Sequence, residues 1–516
     1  MSTNTNNETM QTVTRRVDAA VIGSGFAGLS AAYEAAKLGK RVLLIDKMPN
    51  PGGNSVMNAG QIAAVGSPNQ EKAGIKDSVE LMKQDMLDAG VSLNHPNLLE
   101  KMISQSWDTV KWTMTEFGIQ YRDRLTQMGG HSVPRTLSTM NHSGRDIIDP
   151  MLSKIQYMPN VKLEMNTKFE RFILEKNDDD ENGQDEVAGI KVSHNGVTQD
   201  VICDKGVILA SGGFSADIPF RKIQVPTFGE KVMSTNQPGA TAEVIKESLK
   251  ISALPVQLSH IQLGPWTSPD ESGFGLAPFF CIGAGFPCES CLTLTLIRCN
   301  VICSCRYSLL ITLCTHTDGI IIDPDTSTRF VNELGNRYER SMAILKMGHP
   351  VVCMTDSEGA KHSLEKDLTK LEPTLKAHNS IEEVAEEYGM DPIVLRETID
   401  KYNASVAMGE DEDFGKLLRE DAAPLVKFPF YSVRLWPKVH HCMGGLHINS
   451  DAQVMHVDGY PIKGLFAAGE VTGGVHGGDR LGSCATLDCI AFGRIAGKNV
   501  ATFNKKKEGD LHNVAT

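Results

Sequence analysis

The sequence predicts an α/β fold built on a doubly wound, Rossmann-like sheet, because three strand-and-glycine elements recur along the chain. The first is Asp18-Ala-Ala-Val-Ile22 followed by Gly23-Ser-Gly25-Phe-Ala-Gly28. The second is Gly206-Val-Ile-Leu-Ala210-Ser-Gly212-Gly213, and the third is Gly464-Leu-Phe-Ala-Ala468-Gly469-Glu470. At 516 residues the chain is also too long for one core, since a domain takes roughly 150 residues.

Each element has a local cause. Residues 18–22 are an apolar run that reads as a buried strand, the alanine-rich segment to Leu38 reads as a helix stopped by Gly39, and residues 41–46 read as the next strand. Strand, glycine turn, helix and strand in that order make a dinucleotide site. Gly23 permits the tight turn, Gly25 lets the backbone approach a pyrophosphate, Gly28 allows close helix packing, and the helix N-terminus offers N–H groups to phosphate. Asp46 follows about 20 residues on, where a carboxylate takes a ribose hydroxyl. Pro51-Gly-Gly53-Asn54-Ser55 is a second glycine loop straight after the acidic strand end. Because the chain returns to this unit at residues 206–213 and again at 464–470, FAD extended across one split domain fits better than NAD in a compact one. The candidate cofactor contacts are Gly23, Gly25, Phe26, Ala27, Gly28, Asp46, Lys47, Gly53, Asn54, Ser55, Gly60, Ser211, Gly212, Gly469, Glu470 and Ala485.

Composition excludes several classes. Acidic residues outnumber basic ones, 63 to 51, for a formal charge of −12, which argues against a basic footprint for nucleic acid or an anionic membrane. The first fourteen residues are polar, without the apolar run of a secretory signal, and Arg15-Arg16 runs directly into a strand instead of a signal core. A cytoplasmic location is expected. Seven of the 12 cysteines, Cys281, Cys288, Cys291, Cys299, Cys303, Cys305 and Cys314, crowd one stretch, while five are scattered as in a reduced protein. Cys288-Glu-Ser-Cys291 is followed by Leu292, so it lacks a haem-attachment histidine, and no close histidine pair supports a metal site.

Met128-Gly-Gly-His131-Ser, Ser234-Thr-Asn-Gln-Pro-Gly239, Phe330-Val-Asn-Glu333, His440-His-Cys-Met-Gly-Gly445 and Gly469-Glu-Val-Thr-Gly-Gly-Val-His476-Gly-Gly-Asp-Arg480 then follow one another in order. With these motifs the chain resembles the flavin subunits of fumarate reductases and their soluble relatives, the flavocytochrome c fumarate reductases and urocanate reductases, over roughly residues 17–501. The resemblance implies a FAD domain split by an inserted α+β capping domain, with substrate held between the two. It divides the chain into a disordered tail (1–13), a first FAD segment (14–256), the cap (257–438), a second FAD segment (439–504) and a tail (505–516). Within this frame residues 161–202 read as a β-meander with an acidic hairpin tip at 178–186. Residues 380–405 read as a helical stretch with Ile381, Val384, Tyr388 and Leu395 on its core face.

Reducing an activated alkene takes a hydride to one carbon, a proton to the other, and positive groups on the activating carboxylate. The resemblance implies that His440 binds substrate, Arg480 clamps its carboxylate bidentately and Arg337 delivers the proton. A guanidinium is a poor acid, so Arg337 needs resupply from an acidic neighbour or acts through its charge. His441 and Arg480 are also implied as cofactor contacts, with His131 and His476 lining the flavin loop. Asn54-Ser55-Val56 offers no histidine for the covalent flavin link of membrane-bound members, so non-covalent FAD is expected. Electrons are expected from outside the chain, from a cytochrome, an iron–sulfur protein, reduced flavin or NADH. The alternatives are a flavin dehydrogenase working in the oxidising direction, of ketosteroid dehydrogenase or amino-acid oxidase type, and a non-catalytic FAD-binding protein.

Two departures from the family pattern bear on substrate. Fumarate reductases of this type place a histidine before a proline in the first cap strand, where it helps hold the second carboxylate. Here His260-Ile-Gln262-Leu-Gly264-Pro-Trp266 has glycine at that place, and the Thr-Glu pair expected within residues 268–280 is not recognisable. A monocarboxylate such as urocanate or an aryl or alkyl acrylate therefore fits at least as well as fumarate. The second departure is the segment 288–318, which holds six of the clustered cysteines. Arg298, Asn300 and Arg306 rule it out as a spanning helix, and it reads as translated non-coding sequence, with a cap insertion or a cysteine site as alternatives.

Overall fold

The computed structural model describes residues 13–128, 130–176, 185–273, 275, 319–335, 337–361, 368–418 and 422–504. The two tails apart from Val13, most of the acidic hairpin tip and the segment 288–318 lie outside the described residues.

Five parallel strands form the centre of the larger sheet, in the order Pro461–Ala467, Val197–Leu209, Val13–Ile22, Val42–Ile45 and Val161–Glu164. The first strand starts at Val13, earlier than the apolar run alone indicates, because Val13 to Val17 pair with Gln199 to Cys203. Arg15 and Arg16 belong to this extension and reach Glu164 and Asp204, each at 2.7 Å. Strand Val42–Ile45 is buried throughout, as an unbroken apolar run in a parallel sheet requires. The meander expected over 161–202 is present from Thr167 on, where the hairpin of Thr167–Glu175 and Glu186–His194 leads antiparallel into Val197–Leu209, whereas Val161–Glu164 pairs parallel with Val42–Ile45. The third glycine element supplies Pro461–Ala467, which lies parallel to Val197–Leu209 and so returns residues 464–470 to the same sheet. Helices Phe26–Lys37 and Cys484–Thr502 pack closely, since a Cβ at Gly493 would stand 2.5 Å from the Ala27 carbonyl oxygen and one at Gly497 2.3 Å from that of Ala31.

The second sheet is antiparallel, in the order Thr328–Arg329, Ile320–Asp323, Val351–Thr355, Phe430–Leu435 and Lys376–His378. Both faces are buried, which period-two alternation makes possible. Ile320, Ile322, Val352 and Met354 pack with Ile381, Val384, Leu395 and Tyr402, while Ile321, Val351, Cys353 and Val433 pack with Trp266, Ile344 and Trp436. The single helical stretch expected over 380–405 is two helices, Ile381–Tyr388 and Pro392–Met408. Gly389 closes the first in the left-handed region at φ 69°, and the Asp391 carboxylate caps the second by accepting from the Ile393 and Val394 N–H groups. Two ribbons connect the sheets: Ile261–Gly264 runs antiparallel to Lys438–Cys442, and Gly445–His447 lies between Pro255–Val256 and Thr472–Gly473. Among the described residues no helix is long and apolar enough to cross a membrane. Cys203, Cys353, Cys442 and Cys484 are buried, and Cys489 is half-buried.

Candidate active site

A cleft opens at the carboxyl ends of Val13–Ile22, Val42–Ile45 and Val197–Leu209, where ligands of parallel α/β sheets bind. Its cavity volume is about 110 Å³. Of the expected cofactor contacts, Gly23, Gly25, Phe26, Ala27, Asp46, Lys47, Gly53, Asn54, Ser55, Ser211, Gly212 and Glu470 line it. Gln237 lines it from the motif at 234–239, and Thr167, Phe169, Thr241 and Glu243 line it with no sequence signal to mark them.

The glycine turn has little room for any other residue. Gly23 sits at φ 107°, and a Cβ there would be 2.3 Å from the Ala210 carbonyl oxygen. Gly28 lies behind the turn instead of in the cleft, with its Cβ position 1.8 Å from the Gly23 oxygen. Asp46 fixes the same turn, accepting from the Ser24 N–H at 3.0 Å, the Ser24 hydroxyl at 2.5 Å and the Met48 N–H at 2.9 Å. Ser55 accepts the Phe26 N–H at 3.0 Å, Asn54 accepts the Gln237 N–H at 3.0 Å, and Lys47 pairs with Glu243 at 2.9 Å. Gly60, Gly469 and Ala485 stand outside the lining. Gly60 is tied to Asn58 at 2.5 Å, Gly469 backs Ala27 and Cys489, and Ala485 lies in the first turn of Cys484–Thr502. A helix N-terminus at a glycine turn, a carboxylate at the second strand end and glycine backbone from a third strand fit a dinucleotide held in extended form, as FAD is.

Glu470 joins this cleft to a cluster of histidines and arginines. Its Oε1 accepts the Cys442 N–H at 3.0 Å and lies 3.5 Å from His441 Nδ1. Burial raises the Glu470 carboxyl to about 7, against the opposing pull of the Cys442 N–H and Arg480. His441 meets His476 edge to face at 5.7 Å, and His476 Nε2 is 3.4 Å from the Asp488 carboxylate. His440 lies on the strand Lys438–Cys442 with its Nδ1 3.0 Å from the Thr235 hydroxyl. Burial, reinforced by the charges of Arg480 and Arg337, holds His440 well below the usual imidazole range, and burial with Arg480 does the same to His441. Both rings are neutral.

Arg480 Nη2 donates to Gln262 Oε1 at 2.9 Å and Nη1 to the Leu481 carbonyl at 3.0 Å. Burial and the like charge of Arg337 lower the Arg480 guanidinium from its ordinary value. Arg337 opens the helix Arg337–Met347, and its Cζ lies 4.8 Å from the centre of a Trp266 ring. The fold thus brings Arg337, His440, His441, His476 and Arg480 into one neighbourhood. His131 is placed differently: its Nε2 donates to the Gly482 carbonyl at 2.9 Å, and its Nδ1 accepts from Arg135, itself paired with Asp77 and Asp85. Burial pushes that imidazole down to about 4. Thr235, Gln262 and Trp266 are site neighbours missed by the sequence argument. All three lie inside residues 234–239 and 260–266, so their motif membership was the available signal.

The FAD binding domain family matches residues 18–486. The acrylate reductase flavoprotein subunit of Shewanella woodyi is 37% identical over 501 residues, covering 94% of this chain and 91% of that protein. The urocanate reductase of Eggerthella lenta is 31% identical over 499 residues, covering 95% and 75%. Among solved structures, the open conformation of a flavocytochrome c3 fumarate reductase aligns with a TM-score of 0.78 and 30% identity, over 94% of this chain and 78% of that one.

Proposed function

The chain belongs to the FAD binding domain family, and from that premise we propose that it is a FAD-dependent reductase of the carbon–carbon double bond of an α,β-unsaturated carboxylate. The observation that carries the reading is the neighbourhood of Arg337, His440 and Arg480 beyond Glu470: two guanidinium charges bear on one neutral imidazole at the end of the cofactor cleft. That arrangement suits a carboxylate, which an uncharged steroid lacks, and so favours the reductase over a ketosteroid dehydrogenase, while the relatives named for acrylate and urocanate reduction favour it over an amino-acid oxidase.

When bound, the flavin supplies the hydride. Arg480 anchors the substrate carboxylate with its planar fork, which Gln262 orients from the far side. His440, steadied by Thr235, offers its remaining ring nitrogen to the same carboxylate. The charges of Arg337 and Arg480 stabilise the negative charge that develops as hydride arrives, and Arg337 passes a proton to the second carbon in concert with its return to the guanidinium from water. The substrate gains one hydride and one proton. Residues 14–256 and 439–504 serve as the FAD domain, residues 257–438 as the cap, and the ribbon of Ile261–Gly264 with Lys438–Cys442 is the seam on which the site lies.

An acrylate-like or urocanate-like monocarboxylate is the preferred substrate. A Cβ at Gly264 would stand 4.0 Å from the His440 Cβ and 3.5 Å from Thr267 Cγ2, so the position has room for a side chain and carries none to hold a second carboxylate. The Shewanella relative named for acrylate supports the same choice. FAD is held non-covalently, electrons come from an external donor, and the protein works in the cytoplasm. The test is anaerobic oxidation of reduced methyl viologen by the FAD-loaded chain with acrylate, methacrylate, urocanate, cinnamate and fumarate. Turnover of a monocarboxylate ahead of fumarate is expected, and turnover of none of them refutes the proposal.

A further inference from the structure

Arg337 and Arg340 are buried on successive turns of the helix Arg337–Met347, at 8% and 1% exposure. Both face one aromatic side chain: Arg337 Cζ lies 4.8 Å and Arg340 Cζ 5.6 Å from a Trp266 ring centre. The negative face of an indole attracts a guanidinium, most strongly where water is excluded.

Trp266 is itself held rigidly. It is buried, and it follows Ile261–Gly264 in a turn closed by Thr267. The Thr267 hydroxyl lies 2.9 Å from the Gly264 carbonyl oxygen and 2.8 Å from that of Trp436, while the Thr267 carbonyl accepts the Trp436 N–H at 2.9 Å. One stretch of backbone, residues 261–267, therefore reaches both cations of the site. Gln262 touches Arg480 by a hydrogen bond, and Trp266 touches Arg337 by a ring face.

The two contacts differ chemically. A carboxylate set against a guanidinium takes up two of its five N–H donors and cancels its charge. A ring face takes up neither, because the donors radiate from the edge of the guanidinium plane. We propose that Trp266 is a positioning residue for Arg337, a seat that holds the guanidinium over the indole face and keeps its charge at the unsaturated acid. The inference rests on the reductase reading and adds to it the residue that orients the proton-delivering group.

The experiment compares Trp266→Phe and Trp266→Leu in the full, FAD-loaded chain, with flavin content and melting temperature recorded for each. Steady-state reduction of the preferred acid is paired with calorimetric binding of propionate, a saturated carboxylate. The expected result is a kcat lowered about tenfold in Trp266→Phe and about a hundredfold in Trp266→Leu, following the loss of ring quadrupole. KM and propionate affinity stay within about threefold, because Arg480 and His440 hold the carboxylate. In an Arg337→Lys background the further loss from Trp266→Leu shrinks to about twofold, the mark of two residues acting as a unit. If Trp266→Leu fails to retain flavin, Trp266→Met replaces it with the same expectation. Equal losses in the Phe and aliphatic variants, or a loss confined to KM, overturn the positioning role and leave the reductase reading standing. A wild-type chain that reduces no unsaturated acid overturns both.

Discussion

In the parallel sheet, helix Phe26–Lys37 lies against helix Cys484–Thr502 because alanine meets glycine, backbone against backbone, with one buried pair, Arg494 to Glu34 at 3.2 Å, spanning the contact. In the antiparallel sheet, Arg329 is buried between Glu333 and Asp411, each at 2.8 Å, with Lys416 3.8 Å from Glu333 and the Arg329 guanidinium stacked over Tyr402 at 5.1 Å and Phe414 at 5.0 Å. The helix contact owes its closeness to small residues, whereas the Arg329 cluster owes its rigidity to paired charges that depend on one another. The cofactor cleft belongs to the first kind of packing. Arg337 begins its helix four residues after Glu333 and is seated on the Trp266 ring.

The sharpest test of this contrast is Glu333→Leu, which leaves Arg329 and Lys416 facing Asp411 alone. Removing one partner from a buried ionic cluster is expected to cost about 3–5 kcal/mol in urea unfolding, while replacing all four charges by apolar residues of similar size costs much less. A loss below about 1 kcal/mol for the single variant would break the contrast.

A second test uses acid. The His131 imidazole, neutral and buried at the floor of the larger lobe, is held at about 4 against an ordinary 6.5. The unfolded chain therefore binds a proton that the folded chain refuses between those values. Stability contributed by the neutral ring is complete above pH 6.5 and falls as the pH drops toward 4, by up to about 3 kcal/mol. Denaturant midpoints between pH 4 and 7 are expected to show this slope, and His131→Gln to reduce it while His440 and His441 sustain the remainder.

The third is Gly28→Ala, whose methyl group would fall 1.8 Å from the Gly23 oxygen. Overpacking of this kind is expected to cost about 1–3 kcal/mol and to weaken FAD retention at least about tenfold, read as flavin absorbance after gel filtration. Full retention of FAD would show that the turn yields more than its packing indicates. The smallest effect is expected at Arg145, 3.8 Å from Asp149 on an exposed helix face. Arg145→Ala should change the melting transition by less than about 0.5 kcal/mol.

The same contrast explains what was legible in the sequence. The glycine turn, the meander and the return of residues 464–470 were readable because each is local, a run of small or alternating residues whose conformation its neighbours dictate. The Arg329–Asp411 pair joins residues 82 positions apart, and no periodicity marks it. Local patterning also overlooked single-residue events: Gly389 breaks a stretch whose two halves share an apolar face, and Asp46 serves the Ser24 turn as well as the cleft. Around the site, Arg337, His440 and Arg480 were named from motif resemblance, whereas their supports, Trp266, Thr235 and Gln262, became visible only when the ribbon of Ile261–Gly264 and Lys438–Cys442 set them side by side.

The most direct test of the central claim is single-turnover reoxidation of the photoreduced, FAD-loaded chain by acrylate under anaerobic conditions, beside Arg480→Gln. The account expects a rate that saturates with acrylate in the natural chain and falls at least about a hundredfold in Arg480→Gln, with flavin content unchanged. A reduced flavin that no unsaturated acid reoxidises, or one reoxidised equally well without Arg480, would contradict it.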